Sequence, residues 1–300
     1  MRQGGSLRLG IAGCDTSHVV EFTRRLHAAG APPEQCVPGA RVVAAWPGRS
    51  EIAPDRLPGY VATLRELGVT IVDRAEDLAA HGVDGVLLEA QQGDTHAALA
   101  LPWLRAGIGV FVDKPFACAV ADAAAMVEAA TAAGSPLLSA SSLRFAEEVL
   151  ALRVGRVLGA QTHTPASLHP GNPGLFHYGV HGVELLYALL GGGCRSVACT
   201  STPGADAVVG LWADGRLGGV RGLRQGAMGY GFTAYGQDGL VTARVDTGYI
   251  YRNLLRVIVA VLGGAPSPVP LPELVEAVAF QECALRSARA GGGPVPLPAV

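Results

Sequence analysis

Of the 23 cationic side chains in the chain, 22 are arginine and one is lysine, Lys114, in the run Val-Phe-Val-Asp-Lys-Pro-Phe. Arginine stays protonated at any working pH, whereas a partly buried lysine can shift its pKa and exchange a proton. A lone lysine directly after the strand-like run Gly109 to Val112 is therefore read as a proton donor, proton acceptor or hydrogen-bonding catalyst. A second candidate set lies in Phe-His-Tyr-Gly-Val-His-Gly-Val-Glu, read as helical, where His177 and His181 share one face at i,i+4 and Glu184 follows at i+3. Three readings fit it: a metal pair, packing histidines, or acid/base groups facing the same cleft as Lys114. A metal site needs a third ligand and none is evident, so none is expected.

The first strand ends Gly-Ile-Ala-Gly-Cys-Asp-Thr-Ser-His, where a dinucleotide-binding fold would carry G-x-G-x-x-G. Gly13 supplies the first glycine; Asp15 and His18 stand at the second and third. A carboxylate at Asp15 repels phosphate unless it turns away, for instance to cap the following helix. Thr16 and Ser17 add hydroxyl donors beside that helix N-terminus, so the turn reads either as a cap or as a phosphate cradle. The second strand ends without a carboxylate for a ribose 2′-hydroxyl and is followed by Arg49 and Ser50, which tilts the expectation from NAD slightly towards NADP. Past the buried strand starting at Val83, the segment Glu89, Gln91, Gln92, Asp94 and His96 occupies the ligand crevice of an open α/β sheet; His96 also reads simply as the start of the next helix.

Alternating strands and helices position these groups. Strands are expected at Leu7 to Ala12, Arg41 to Trp46, Thr70 to Val72, Val83 to Leu88, Gly109 to Val112 and Pro136 to Ala140, with helices between them. That pattern gives a doubly wound parallel sheet, a Rossmann-like α/β domain over residues 1–145. From Gly155 the pattern becomes a strand at Val157 to Thr164, a helix from Leu175 to Leu190, four strands joined by short turns, and two closing helices. Residues 146–300 therefore read as an α+β domain with an open, mainly antiparallel sheet that serves substrate binding and oligomerisation.

Composition narrows the partners. With a formal charge of −2 and no basic patch, nucleic acid and anionic membrane surfaces are not expected. Apolar stretches stop short of the roughly 20 residues of a membrane span, and Met1 to Ser6 carry no signal-peptide core. Six scattered cysteines without metal spacing read as reduced thiols, in keeping with the cytoplasm. An open sheet with apolar alternate residues suggests a covering subunit, a homodimer or homotetramer.

Taken together, Asp113-Lys114-Pro115, the Val83 to His96 segment, Ser142-Leu143-Arg144-Phe145, Gly179-Val180-His181-Gly182-Val183-Glu184 and the closing Ser287 to Leu297 resemble the Gfo/Idh/MocA family across the whole chain. The family's E-K-P and G-x-H-x-x-D are matched by Asp113 to Pro115 and Gly179 to Glu184. The resemblance implies a Rossmann domain binding NAD or NADP, with Gly13 to His18, Glu89, Gln91, His96, Lys114, Pro115 and Arg144 around the cofactor. It further implies hydride exchange with a sugar or cyclitol carbon, with Lys114 on the reacting hydroxyl and His181 carrying its proton. Two departures stand out: His177 replaces the family's aspartate four residues before the histidine, and the glycine fingerprint is degenerate. The leading expectation is an NAD(P)-dependent oxidoreductase acting on a small carbohydrate-like molecule. The alternatives are an epimerase, eliminase or glycosidase that holds NAD(P) as an internal relay, and a cofactor-free binding or regulatory protein.

Overall fold

The computed structural model describes residues 5–226 and 228–298. Met1 to Gly4, part of the segment read above as carrying no signal-peptide core, lie outside the described residues. The chain forms two compact units: one runs through Phe116 with Ala124–Ala140 and Tyr251–Val269, the other comprises Ala117–Ala123, Ser141–Ile250 and the chain from Pro270. The chain crosses between them several times, among them at Ala140/Ser141 and at Ile250/Tyr251.

In the first unit, β1 (Leu7–Ala12), α1 (His18–His27), β2 (Ala40–Trp46), α2 (Leu57–Glu66), β3 (Thr70–Ile71), β4 (Gly85–Leu88), α3 (His96–Arg105), β5 (Gly109–Val112), α4 (Val120–Ala133) and β6 (Leu137–Ser139) follow in order. All six strands are parallel, in spatial order β3-β2-β1-β4-β5-β6. Strand order reverses between β1 and β4, so the carboxyl ends of those strands flank the crevice where such sheets bind ligands. The sequences Gly-Val-Leu-Leu (β4) and Gly-Val-Phe-Val (β5) are buried at every position, as expected of strands covered on both faces. Part of that cover comes from far along the chain. Leu262 packs so close to Gly109 that an added Cβ would lie 2.9 Å from its side chain.

In the second unit, α5 (Glu147–Leu150), β7 (Val157–Pro165), α6 (Val180–Leu190), β8 (Cys194–Ser201), β9 (Ala205–Trp212), β10 (Leu217–Leu223), β11 (Gly231–Gly236) and β12 (Leu240–Arg244) are followed by α7 (Ile250–Leu262), α8 (Leu271–Arg289) and β13 (Val295–Pro296). Here α7 packs almost wholly in the first unit. The sheet order is β12-β11-β7-β10-β9-β8-β13, and every pairing is antiparallel except β7 with β10. Strict alternation of buried and exposed residues along β9 marks a sheet packed on one face only.

Two local expectations are corrected. Strand β8 was not foreseen, since Cys-Arg-Ser-Val-Ala-Cys-Thr-Ser offers only a weak apolar alternation. The helix expected from Leu175 begins at Val180 instead: a single 3-10 turn covers Gly174–Phe176, and His177 adopts a non-helical turn conformation. Gly174, at φ +59°, starts that turn in the left-handed region, which a regular helix cannot continue through.

Candidate active site

The turn after β1 is organised by Asp15. Its carboxylate accepts the Ser50 hydroxyl at 2.7 Å and the Gln91 N–H at 2.9 Å, while the Gln91 side-chain amide donates to the Asp15 carbonyl. Asp15 therefore turns away from the N-terminus of α1 without capping it, and ties the loops after β1, β2 and β4 together. Burial raises its pKa, opposed by the Ser50 and Gln91 hydrogen bonds. Gly13 is required for this arrangement: at φ +85° it packs against Ala90, whose backbone nitrogen would lie 2.6 Å from an added Cβ. Among the described residues, the peptide N–H groups of Asp15, Thr16 and Ser17 donate to no backbone carbonyl, and Ser17 makes no side-chain cap bond. A helix N-terminus left in that state suits an anion. The residues present thus fit a dinucleotide pyrophosphate despite the missing glycines.

Beneath this turn lies a buried charged group absent from the sequence reading as a unit. His18 Nδ1 is 3.0 Å from Asp113 Oδ2 and 3.6 Å from Glu89 Oε2, and Lys114 Nζ is 3.7 Å from the same Asp113 oxygen. Asp113 and Glu89 have no exposed surface, His18 is 6% exposed, and the Lys114 side chain is 15% exposed. The elements explain the meeting. His18 is the first residue of α1, Glu89 directly follows β4 and Asp113 directly follows β5, so neighbouring parallel strands end at one level. The ring of His18 stacks on Phe22 at 5.0 Å and meets the edge of Tyr251 at 5.0 Å.

Charge coupling sets their titration. Burial alone would lower the pKa of His18, but the Asp113 charge, helped by the close contacts with Asp113 and Glu89, overcomes it and pushes the imidazole up to about 9. Burial would raise Asp113, yet the His18 and Lys114 charges hold its carboxyl well below the usual range. Glu89 goes the other way: burial and then the Asp113 charge push it up to about 7, against the opposing His18 and Lys114. His96, also buried, lies 2.7 Å through Nε2 from the Ala90 carbonyl and 3.2 Å through Nδ1 from that of Phe116. It fastens the loop after β4 to the one after Pro115, whose peptide bond with Lys114 is cis. Arg49 is exposed, whereas Ser50 is committed, donating to Asp15 and accepting from the Ala53 N–H at 2.8 Å.

In the second unit, His181 sits in the first turn of α6 and is 8% exposed. Its Nδ1 is 2.7 Å from Ser141 Oγ, which itself accepts the Leu143 N–H at 3.2 Å. Glu184 lies on the same helix and accepts from Arg144 Nε at 2.6 Å and from the Ser141 N–H at 3.1 Å. Arg144 donates its other arm to Glu273 at 2.7 Å, so this buried arginine is held between two carboxylates. His177 does not share a helical face with His181. Its ring is tilted against that of His169 at 5.4 Å and meets Tyr178 at 5.0 Å, while Tyr178 and Tyr230 border His181 at 5.9 and 5.6 Å. Ser141, Tyr178 and Tyr230 were missed by the sequence reading. Ser141, one residue before the Ser142-Leu143-Arg144-Phe145 run, and Tyr178, between His177 and Gly179, stood beside recognised signals, whereas Tyr230 did not.

Residues 31–140 match the family model GFO_IDH_MocA, described as an oxidoreductase family with an NAD-binding Rossmann fold. Among curated proteins, none matches the chain. Solved structures share its fold over essentially the full length. GenD2 from gentamicin A biosynthesis, in complex with NAD, is 20% identical at TM-score 0.81, covering 100% of this chain and 98% of its own. The myo-inositol dehydrogenase of Lactobacillus casei, solved with NAD(H) and myo-inositol, is 15% identical at TM-score 0.78, covering 99% and 98%. The WlbA dehydrogenase of Bordetella pertussis, solved with NADH and UDP-GlcNAcA, is 19% identical at TM-score 0.74, covering 99% and 100%. The family model thus matches part of the first unit, and the fold along the chain's length is the one shared by these solved structures.

Proposed function

We propose that the protein is an NAD-dependent dehydrogenase or reductase that exchanges hydride with a hydroxyl-bearing carbon of a sugar- or cyclitol-like substrate. The observation that carries this reading is the Lys114–Asp113–His18 contact, which presents the chain's one lysine from a buried acidic platform at the end of β5. The α1 N-terminus with Thr16 and Ser17 would hold the pyrophosphate, with Gly13, Asp15 and Gln91 fixing the loops around it. NAD when bound supplies the hydride acceptor or donor, and the chain's own residues handle the proton and the developing charge.

Lys114 donates a hydrogen bond to the substrate oxygen and stabilises negative charge as it develops there. Asp113, 3.7 Å from the ammonium, orients the lysine. His181 carries the hydroxyl proton. The Ser141 hydroxyl, 2.7 Å from His181 Nδ1 and itself accepting the Leu143 N–H, fixes the ring's orientation for that transfer. Ser141 takes over the orienting task left open at His177. Tyr178, Tyr230 and His177 form an aromatic border around His181 suited to the apolar face of a sugar ring. NAD is favoured over NADP because the Ser50 hydroxyl is engaged by Asp15, leaving Arg49 as the remaining group for a 2′-phosphate.

A reducing, cytoplasmic setting fits six cysteines that form no disulfide. A homo-oligomer formed through the outer face of the second sheet fits the exposed Val209, Leu211, Leu217 and Leu240. The test is a screen of sugars, cyclitols and their nucleotide-linked forms, followed by nicotinamide absorbance. Turnover with stoichiometric NADH change supports the reading. Conversion of substrate without net NADH change replaces it with the internal-relay reading.

A further inference from the structure

Glu89 is the buried group that the proposed chemistry does not use. It has no exposed surface, and neither carboxylate oxygen has a hydrogen-bond partner. Its nearest charged neighbour, His18 Nδ1, is 3.6 Å away, beyond hydrogen-bonding distance, and sits closer to Asp113. An imidazolium at His18 therefore pairs closely with Asp113 and only at longer range with Glu89. A buried carboxylate paired so weakly is costly enough that it takes up a proton when one is available.

The charge balance shows what that proton would do. With Glu89 ionised, two carboxylates face the His18 and Lys114 cations. With Glu89 protonated, Asp113 alone faces both, and the field at Lys114 becomes more positive. One proton, bound or released at Glu89, thus alters the electrostatic field in which Lys114 sits.

We infer that Glu89, His18 and Asp113 form one proton-sharing unit under Lys114, in which Glu89 binds the exchangeable proton and His18 holds Asp113 in place. Glu89 and His18 are positioning residues: they act through Asp113 and Lys114. The other ionisable or ring-bearing groups packed here do not supply such a proton. The Cys14 thiol is raised far above its ordinary range by burial and by Glu89 itself, His96 is kept neutral by burial, and Tyr251 meets the His18 ring edge-on. The unit follows from the departure in the glycine fingerprint, since a glycine at position 18 would leave Asp113 without its imidazole partner.

The inference rests on Lys114 being the reacting lysine, but its test needs neither cofactor nor substrate, so either can fail without the other. Because the chain has one lysine, reductive ¹³C-methylation marks a single side-chain amine and keeps its charge; Lys114→Arg identifies the signal by removing it. In chelator-treated parent protein, the Lys114 methyl signal is expected to move in a step centred near pH 7, where Glu89 titrates. Glu89→Gln abolishes the step, and His18→Gln moves it to higher pH by removing a cation that favours ionised Glu89. If Glu89→Gln does not fold, ¹³C-carboxyl labelling of glutamate in the parent decides, with one glutamate titrating near neutrality. Three results overturn the inference: no step in the parent, a step that survives Glu89→Gln, or a divalent metal retained stoichiometrically through chelation, which would itself balance the carboxylates. In the labelling arm, every glutamate titrating near the ordinary value of about 4.3 does the same.

Discussion

His18 Nδ1 lies 3.0 Å from Asp113 Oδ2, joining the residue at the third-glycine position of a degenerate fingerprint to the residue before the chain's only lysine. What a dinucleotide fold normally leaves empty for close helix–strand packing is here a buried ion pair. The departure that weakens the motif in the sequence thereby strengthens the seat of the lysine.

Lys114 is expected to resist replacement by another cation. Lys114→Arg keeps the charge but adds a planar fork that releases no proton at working pH. Turnover should fall by about 10²-fold or more, with the fold intact and cofactor affinity within a few-fold. Steady-state kinetics on a substrate from the screen, beside a melting curve, checks this; near-parental kcat would reduce Lys114 to a charge.

The buried unit should also mark the pH dependence of stability. Glu89 has a folded pKa raised to about 7, so between its unfolded value and neutrality the folded state holds the extra proton, and stability declines as pH rises through that window. His18, raised to about 9, contributes stability fully present below about 6.5 and lost as pH rises through 9. Glu89→Gln should therefore melt increasingly above the parent as pH rises from 5 to 8, reaching a difference of several degrees. Differential scanning calorimetry across that range measures it. A constant offset at all pH values would show that Glu89 does not titrate in the window.

Arg144 is expected to act on stability before it acts on cofactor. Removing it leaves the buried Glu184 and Glu273 carboxylates without their shared cation. Arg144→Met should cost on the order of 3–5 kcal/mol in denaturant unfolding. A loss below about 1 kcal/mol would place Arg144 among exposed pairs that contribute little.

Ser141 should matter through the protonation of His181. Ser141→Ala deletes the partner of Nδ1, and kcat should drop by about tenfold with a displaced pH profile, on the scale of losing a supporting hydrogen bond. An unchanged profile would separate Ser141 from the proton transfer.

Much of this architecture is legible in the chain because its causes are local. Buried runs such as Gly-Val-Phe-Val before Lys114, and alternation such as Ala-Asp-Ala-Val-Val-Gly-Leu-Trp, declare strands covered on two faces and on one. The chemistry near each strand end was readable for the same reason: Glu89, Asp113 and Lys114 directly follow strands. What was not readable depends on side-chain direction or on partners distant in sequence. Nothing local shows that Asp15 turns towards Ser50 and Gln91, or that Arg144 lies between Glu184 and a carboxylate at Glu273. The shared face of His177 and His181 failed because the helix begins after Gly179, a boundary set by the preceding left-handed turn.

The central claim is that the turn from Gly13 to His18 still serves a nicotinamide dinucleotide although two of its three glycines are gone. Calorimetric titration of stripped protein with NAD, NADH, NADP and NADPH tests it most directly. The account predicts saturable binding of one NAD(H) per chain, tighter than NADP(H), and weakened at least tenfold by Gly13→Val, whose side chain would run into Ala90. Absence of heat with all four ligands, in protein that is folded by melting, would contradict it and favour a homologue that kept the fold without the cofactor.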